Sequence, residues 1–351
     1  MADFAQIPLK RVGPIRIQGP ILQGDFFAPL ATYETPLFAS CQRGAKISQA
    51  CNGISVICLG ETMTRSLLLE GPSAVHLQPM IEQIEHPDFF QRLNQAVRET
   101  SRYATLQEIN CHLIGRQLFI RIHIHPGDAS GHNMSTKAAE NILKLLQSTY
   151  PELQYVSLSG NACSDKKVSA INSLLGRGKS MIAELVIPRA ILQQLARTTP
   201  EKMVDINLKK NLLGSHVAGS VRSANAHVAN TLLAFYLATG QDAANIVEGS
   251  QAITTCDLTQ SGDLYFAVTL PNLIIGTVGN GKHLPAVQLE LSKLPFPKSE
   301  SPGHQSRQLA ALCAASVLCS ELSLLSALTN PEELMRAHIL LERASSKENR
   351  Q

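Results

Sequence analysis

The sequence predicts an α+β protein, in which a large body of mixed helix and sheet is interrupted by a smaller α+β segment. Three observations carry this. Helix-period and strand-period patterns alternate along most of the 351 residues. Between about residues 67 and 157 the pattern changes: helix-like stretches at 77–85 and 89–100 lead to strand-like runs at 103–109 and 118–125, a helix at about 134–147 and a strand at 153–158. Residues 308–328 are rich in Leu, Ala and Cys and apolar almost all round, the composition of a buried helix. No G-x-G-x-x-G occurs, so the fingerprint of a Rossmann unit is absent.

Hydrophobic residues make up 44% of the chain, enough for a sizeable core. Charged residues are 17%, against about 25% in ordinary globular domains, which fits a compact, oligomeric protein. The net charge of +3 gives no ground for a nucleic-acid partner. No uninterrupted apolar run reaches the ~18 residues of a membrane span, and the opening MADFAQIPLKR has no signal-peptide apolar region. Eight cysteines without a C-x-x-C pair read as reduced thiols. The expectation is a cytoplasmic protein with no membrane partner.

Taken in order, residues 1–30 are rich in Pro and Gly, with short β-like runs at 16–17 and 21–22. Glu34 stands where a loop should give way to a helix, a place where an acid is stabilised by the helix dipole. Ser40 and Arg43 are three apart on that helix and share a face. Arg65, in Met63-Thr64-Arg65, has the fork geometry to grip a carboxylate, although an ordinary surface arginine reads the same. The helix near 134–147 carries Ala138, Ile142, Leu145 and Leu146 on one stripe. The segment NAHVANTLLAFYLATGQD places Ala226, Asn230, Leu233, Leu237 and Gln241 at helical spacing. Gly240 can end that helix, and Asp242 follows as a turn or cap residue. Pro331 and the two glutamates after it open a last helix, which carries His338 and runs into a polar tail.

The chemistry-bearing stretch is 159–179, SGNACSDKKVSAINSLLGRGK. It opens as a turn and sets Asp165, Lys166 and Lys167 side by side before a helix pattern at Val168, Ile171, Leu174 and Leu175. An acid beside two amines suits a site that holds a carboxylate and a developing oxyanion together; taken alone, the same residues read as a solvated loop. Three patterns carry little. Gly176 to Ser180 ends like a Walker loop, but residue 173 is Ser, so the first glycine is missing. His123 and His125 share a strand face near Asp128, and no metal is expected there. GTVGNG by itself is a weak phosphate cradle.

Four stretches together are similar to the signatures of the 3-hydroxy-3-methylglutaryl-coenzyme A (HMG-CoA) reductase family. They are SGNACSDKK with GRGKS, GDASGHNMSTKA at 127–138, NAHVAN with ATGQDAAN at 225–245, and GTVGNG at 276–281. With their flanks they span about 14–338. The resemblance implies a large substrate domain (1–66 and 158–338, with a substrate loop at 158–169), an inserted small ferredoxin-like cofactor-binding domain (67–157) and a flexible tail (339–351). It implies catalytic roles for Glu34, Lys166, Asp242 and His338. Arg65, Ser159, Lys167, Lys210 and Asn230 would hold the hydroxymethylglutaryl end, with Asp165 and His227 also contacting substrate. Ser40 and Arg43 would lie near the coenzyme A phosphates. Asp128, Asn133, Gly276 and Gly279 would meet the dinucleotide, with Ser101 and Arg102 beside the adenosine phosphate. The chain departs from the family's usual residues at Thr35, Asn280 and Arg222-Ser223, where glycines are usual, at Gln42, and at His132, where methionine is usual.

The implied reaction is a four-electron reduction of a thioester to an alcohol, with NADPH as cofactor (NADH possible) and HMG-CoA and coenzyme A as ligands. The implied assembly is a homo-oligomer, a dimer or higher, with interfacial active sites. Lys166 would stabilise the oxyanion. His338, as an imidazolium, would protonate the departing thiolate. Glu34 would supply the last proton, its pKa raised by Asp242, with Lys166 between them so that the three titrate as a unit. Three rivals stay open at this level: an NAD-dependent degradative enzyme of the same family, a noncatalytic coenzyme A binding homologue, and a metal hydrolase built on His123 and His125.

Overall fold

The computed structural model describes residues 4–299, 301–331 and 333. Its architecture is α+β, built on one branched sheet. Strands Leu9–Gln18 (β1) and Gly24–Ala31 (β2) form a hairpin, and helix Pro36–Ala50 (α1) follows. The run at 21–22 falls in the bend of that hairpin, not in a strand. Thr35, at φ −60° and ψ −28°, starts α1 in an ordinary helical conformation, so no glycine is needed there.

Strand Ile54–Glu70 (β3) is 17 residues long and organises everything else. From Ser55 to Thr62 it pairs antiparallel with Gly178–Ile187 (β7). From Met63 to Glu70 it pairs with Gln117–His125 (β5), and Leu68–Glu70 also meets Gln154–Ser157 (β6). The change of partner at Thr62/Met63 lies inside the strand, as does the sequence-expected boundary at 66/67. Beyond Met63 the chain adds helices Ala74–Ile84 (α2) and Pro87–Arg98 (α3), strand Thr105–Ile114 (β4), β5, helix His132–Thr149 (α4) and β6. The strands stand in the order β6-β3-β5-β4, every neighbour antiparallel, which is the connectivity of a split βαβ unit. Met63, Leu67 and Leu69 pack with α2, α3, α4 and β5 in a core of their own.

On the other side of Thr62/Met63 the sheet runs β2-β1-β3-β7-β9-β8, with β8 at Ile253–Leu258 and β9 at Leu264–Leu273. Between β6 and β7 only a short helix forms, Ile171–Leu175 (α5). The expected start at Val168 fails, because Ser164 and Lys166 sit at φ 47° and 55°, outside the helical region. Val168 and Leu174 are consequently solvent-facing, at 57% and 65% exposure. After β7 come Arg189–Ile191 (α6) and Pro200–Ile206 (α7), each running into a π-helical segment, then Ser215–Val217 (α8), Val228–Ala238 (α9) and Ile246–Gly249 (α10). Gly240, at φ 62°, ends α9 as expected.

Helix Pro285–Ser292 (α11) leads to His304–Leu328 (α12), whose residues from Leu309 to Leu322 are all buried. By length and composition α12 could cross a membrane, contrary to the sequence expectation, yet 94% of its most apolar window lies inside the protein. Its serines accommodate this burial by donating back to the helix: Ser316 Oγ to Leu312 O at 2.7 Å and Ser320 Oγ to Ser316 O at 3.1 Å. Helix α1 packs against α12 backbone to backbone at Gly44, where an added Cβ would stand 2.2 Å from Cys319 O and 2.4 Å from Cys319 Cα. Neither atom can rotate away. Gly44→Ala is therefore expected to cost about 1–3 kcal/mol or more, as overpacked core sites do, and to lower the midpoint of thermal unfolding. An unchanged midpoint would mean the two helices are not in this register.

Candidate active site

Loop 158–170 emerges from β6 and is held in an unusual backbone course, with Asn161, Ser164 and Lys166 at φ 64°, 47° and 55°. For residues other than glycine such angles cost on the order of 1 kcal/mol each and persist only where surroundings impose them. Here the surroundings are explicit. The backbone N–H of Lys166 donates to Glu248 Oε1 at 3.2 Å. Asn172 Nδ2 donates to Ser164 O at 2.9 Å, and Gln251 Nε2 donates to Ser169 O at 2.9 Å. The Lys166 ammonium then lies 2.7 Å from Asp242 Oδ2, both side chains about a third exposed. Asp242 is itself set by the turn after Gly240, and its Oδ1 accepts the Ala244 N–H at 3.2 Å. Burial works to raise the Asp242 carboxyl. The hydrogen bond and charge of Lys166 and the Ala244 amide outweigh it and hold the group below the usual carboxylate range.

Beneath this pair lies a buried ionic layer. Arg177, 1% exposed, is bonded to the Asp165 carboxylate, to Thr64 O at 2.9 Å and to Glu248 Oε1 at 3.4 Å. Arg65 Nη1 is 3.9 Å from Asp165 Oδ2 and donates to Ser159 Oγ at 3.4 Å. Burial would raise the Asp165 carboxyl, but Arg177, His132 and Arg65 together lower it. Glu248 goes the other way: full burial raises it despite Arg177. Asp165 is thus largely occupied in fixing the loop, and Lys167 Nζ turns back to Asp165 O at 3.1 Å.

A second pair is Glu34 Oε2 with Asn230 Nδ2 at 2.8 Å, joining the start of α1 to α9. Among the described residues no hydrogen bond or ion pair links Glu34 to Lys166 or Asp242, so the expected three-group cluster is drawn as two pairs. His227 stands at the start of α9, where its backbone N–H donates to buried Glu321 at 2.6 Å and its Nε2 pairs with Ser320 O at 2.9 Å. Lys210 Nζ donates to Asn211 Oδ1 at 3.2 Å, and burial lowers its pKa. Ser40 lies on α1, half-buried. Arg43 from the same helix turns to α12, donating to Ser323 Oγ at 2.9 Å and Glu333 Oε1 at 2.6 Å.

The two glycine-bearing loops are stitched together. Thr277 N donates to Asp128 O at 2.8 Å, and Ala129 bridges Val278. Gly276 has no room for a side chain, since a Cβ would stand 2.3 Å from Ser130 N. Gly279 is open, at φ 77°. Asn280 takes φ 47°, the left-handed conformation in which asparagine replaces glycine most readily; Arg222 takes the same region at φ 48°. The Asp128 carboxylate caps α12, accepting the Gly303 and Ser306 N–H groups at 3.1 and 2.9 Å. Asn133 is exposed on the first turn of α4. Ser101 and Arg102 lie in the turn after α3, with the Arg102 guanidinium 4.7 Å above the Tyr103 ring. His338 lies outside the described residues.

The family model described as hydroxymethylglutaryl-coenzyme A reductase matches residues 3–343. The 3-hydroxy-3-methylglutaryl-coenzyme A reductase of Pyrococcus abyssi is 40% identical over 345 residues, which is 98% of this chain and 84% of that protein. Reductase 2 of Dictyostelium discoideum is 42% identical over 339 residues, 96% of this chain and 64% of that protein. The chain belongs to the hydroxymethylglutaryl-coenzyme A reductase family. Solved structures match its fold as well. A reductase of Streptococcus pneumoniae matches it with a TM-score of 0.72 at 19% identity, over 93% of this chain and 86% of that one. A class II reductase from the same organism, described as bound to NADPH in open conformations, matches with a TM-score of 0.73 at 18% identity, over 94% of this chain and 77% of that one.

Within this reductase, several site residues escaped sequence reasoning. Arg177 and Lys179 sit in the stretch that imitates a phosphate loop, yet both are internal: Lys179 Nζ is 2.9 Å from Glu61 Oε1 and 3.0 Å from Ile275 O. Lys282 is buried too, donating to Gly240 O at 2.9 Å and Gln241 Oε1 at 2.8 Å, and burial brings its pKa down to about 8. The two strand histidines are taken up structurally. His123 meets Asn110 Oδ1 at 2.9 Å and Arg121 Nε at 3.1 Å, with burial lowering its pKa to about 4; His125 Nε2 is 3.7 Å from Glu61 Oε2.

Proposed function

We propose that this reductase converts HMG-CoA to mevalonate and coenzyme A, with two hydrides taken from NADPH. The observation that carries the reading is the Lys166–Asp242 pair at 2.7 Å, on a loop whose left-handed backbone is pinned by Glu248. An ammonium with one donor on Asp242 keeps two for an oxygen that gains negative charge when hydride reaches its carbon. Arg65, with Ser159 at its tip, would bind the substrate's free carboxylate. Glu34, oriented by Asn230, would deliver a proton to the alkoxide of the second step. His338 would protonate the coenzyme A thiolate, a group of pKa ~8.5 that otherwise re-adds to the aldehyde. The 63–157 segment, with its separate core and split βαβ connectivity, would be the cofactor domain. Gly276, which has no room for a Cβ, lets its loop pack backbone to backbone on Asp128–Ser130, and these joined loops would meet the dinucleotide. The nicotinamide supplies the hydride. The test is oxidation of NADPH that depends on added HMG-CoA; none, with either NADPH or NADH, would refute the reading.

NADPH, not NADH, is the proposed cofactor. The pneumococcal reductase is described with it, and Arg102 is an exposed guanidinium with no ion-pair partner among the described residues. Charge-assisted recognition of a phosphate is worth about 1.5–3 kcal/mol. Arg102→Ala is expected to raise the KM for NADPH roughly tenfold or more and to leave NADH use unchanged. Equal losses with both cofactors would remove Arg102 from the phosphate site.

A dimer is also proposed; α12 gives it no support, since its apolar surface is spent inside the chain. The support is a stripe at 208–217: Leu208, Leu212, Leu213 and Val217 are 48%, 41%, 53% and 87% exposed. Glu34 and Lys166 are exposed as well, as expected of residues completed by a second copy. Light scattering should give twice the 38.0 kDa chain mass; a fully active monomer would defeat the proposal.

A further inference from the structure

His132 and Asn280 are two of the positions where this chain departs from its family's usual residues, 148 positions apart, and the structure joins them through one serine. Asn280 Nδ2 donates to Ser130 Oγ at 2.9 Å. Ser130 Oγ in turn lies 3.4 Å from His132 Nδ1. A hydroxyl that accepts from an amide N–H still has its own proton to donate, and Nδ1 lies within reach as its acceptor, an arrangement that goes with the imidazole proton on Nε2.

The Nε2 atom is buried and has no hydrogen-bond partner among the described residues. It stands 3.7 Å from Asp165 Oδ1, too far for a bond, and the ring feels the charges of Arg177, Asp165, Asp242 and Lys166. Asp165 Oδ1 is already taken by Arg177. Burial, with Arg177, brings the ring's pKa down to about 4, so it is neutral at physiological pH and has one N–H to give. A buried donor left unmatched beside a catalytic pair costs free energy unless a ligand completes it.

We propose that His132 is a further substrate-contacting residue, whose Nε2–H donates to an oxygen of the acyl substrate next to Lys166, and that Ser130 and Asn280 are positioning residues that fix its tautomer. This rests on the function proposed above. The substrate class is an acyl thioester with an oxygen on the acyl chain. As a neutral donor, His132 adds a hydrogen bond without adding charge to the Lys166–Asp242 pair.

The experiment compares His132→Phe, which keeps the ring and loses the N–H, with His132→Gln, which returns an N–H at similar reach. A neutral hydrogen bond to a ligand is worth about 3- to 10-fold. His132→Phe should raise the KM for HMG-CoA about tenfold, while the dissociation constant for NADPH alone, read by fluorescence titration, stays within about threefold; His132→Gln should recover most of the loss. Ser130→Ala should give a smaller loss, about threefold, and none further when combined with His132→Phe. Nitrogen NMR of labelled protein should show the Nε2–H tautomer in the wild type and a mixture in Ser130→Ala. An unchanged KM in His132→Phe, a loss that falls on NADPH binding, or an Nδ1–H tautomer would each overturn the inference. A wild type inactive toward the thioester would instead overturn the proposed function, and the inference with it.

Discussion

Lys166→Ala is expected to lower turnover about 10²- to 10³-fold, the cost of ~3–4 kcal/mol usual when one preorganised oxyanion donor is removed. Both hydride transfers should suffer alike, because both build negative charge on an oxygen in the same place. Thioester binding should change little, since the substrate's carboxylate is proposed to rest on Arg65 and Ser159. The loop should keep its course as well. Glu248 holds the Lys166 backbone N–H, which alanine retains, and Ser164 and Ser169 are anchored separately by Asn172 and Gln251. The substitution also leaves Asp242 without its main counter-charge. Its carboxyl should rise, and any residual activity should fall off at higher pH than in the wild type as pH is lowered, because Asp242 then protonates earlier. Steady-state assays with HMG-CoA and with free mevaldehyde check this. Retention of more than about a tenth of wild-type turnover would move the oxyanion role elsewhere. Lys167 would be the first residue to examine, although its ammonium now points to Asp165 O.

The second large effect is expected at His338. If this residue protonates the departing thiolate, it matters only while coenzyme A leaves. His338→Gln should then slow reduction of the thioester by about 10²- to 10⁴-fold, the range of a general acid. It should spare reduction of mevaldehyde, which has no thiolate to expel. The same protein preparation, assayed with both substrates by cofactor oxidation, gives the answer. Equal losses on the two would make His338 a structural or cofactor-binding residue.

The parts of this protein that were legible from sequence are those with a strong local signal. Helix α12 announced itself by being apolar on every face, and α9 by its small residues and terminal glycine. The proposed catalytic pair was not legible in that way. Asp242 reads as a cap residue and does cap a turn through Oδ1, while its other oxygen meets Lys166 from 76 positions away. Only the family resemblance singled out both. Strand β3 was not read from the sequence at all, because Gly60, Glu61, Thr62, Thr64 and Arg65 break its alternation. Each half has a different partner, so no single face is buried throughout. The ionic layer of Arg177, Asp165 and Glu248 was invisible for another reason. Such a layer is a property of long-range pairing, and Arg177 lies in a stretch whose glycines imitate a phosphate loop. The helix expected from Val168 failed because backbone angles imposed at Ser164 and Lys166 override the local apolar pattern.

The most direct test of the account is a product balance with the purified chain, HMG-CoA and a limiting supply of NADPH. Free coenzyme A thiol, oxidised cofactor and mevalonate are measured in the same reaction. One site that performs both reductions around Lys166 should oxidise two NADPH for every thiol released, with mevalonate equal to the thiol. One NADPH per thiol with free mevaldehyde accumulating, or thiol released with no cofactor oxidised, would contradict it.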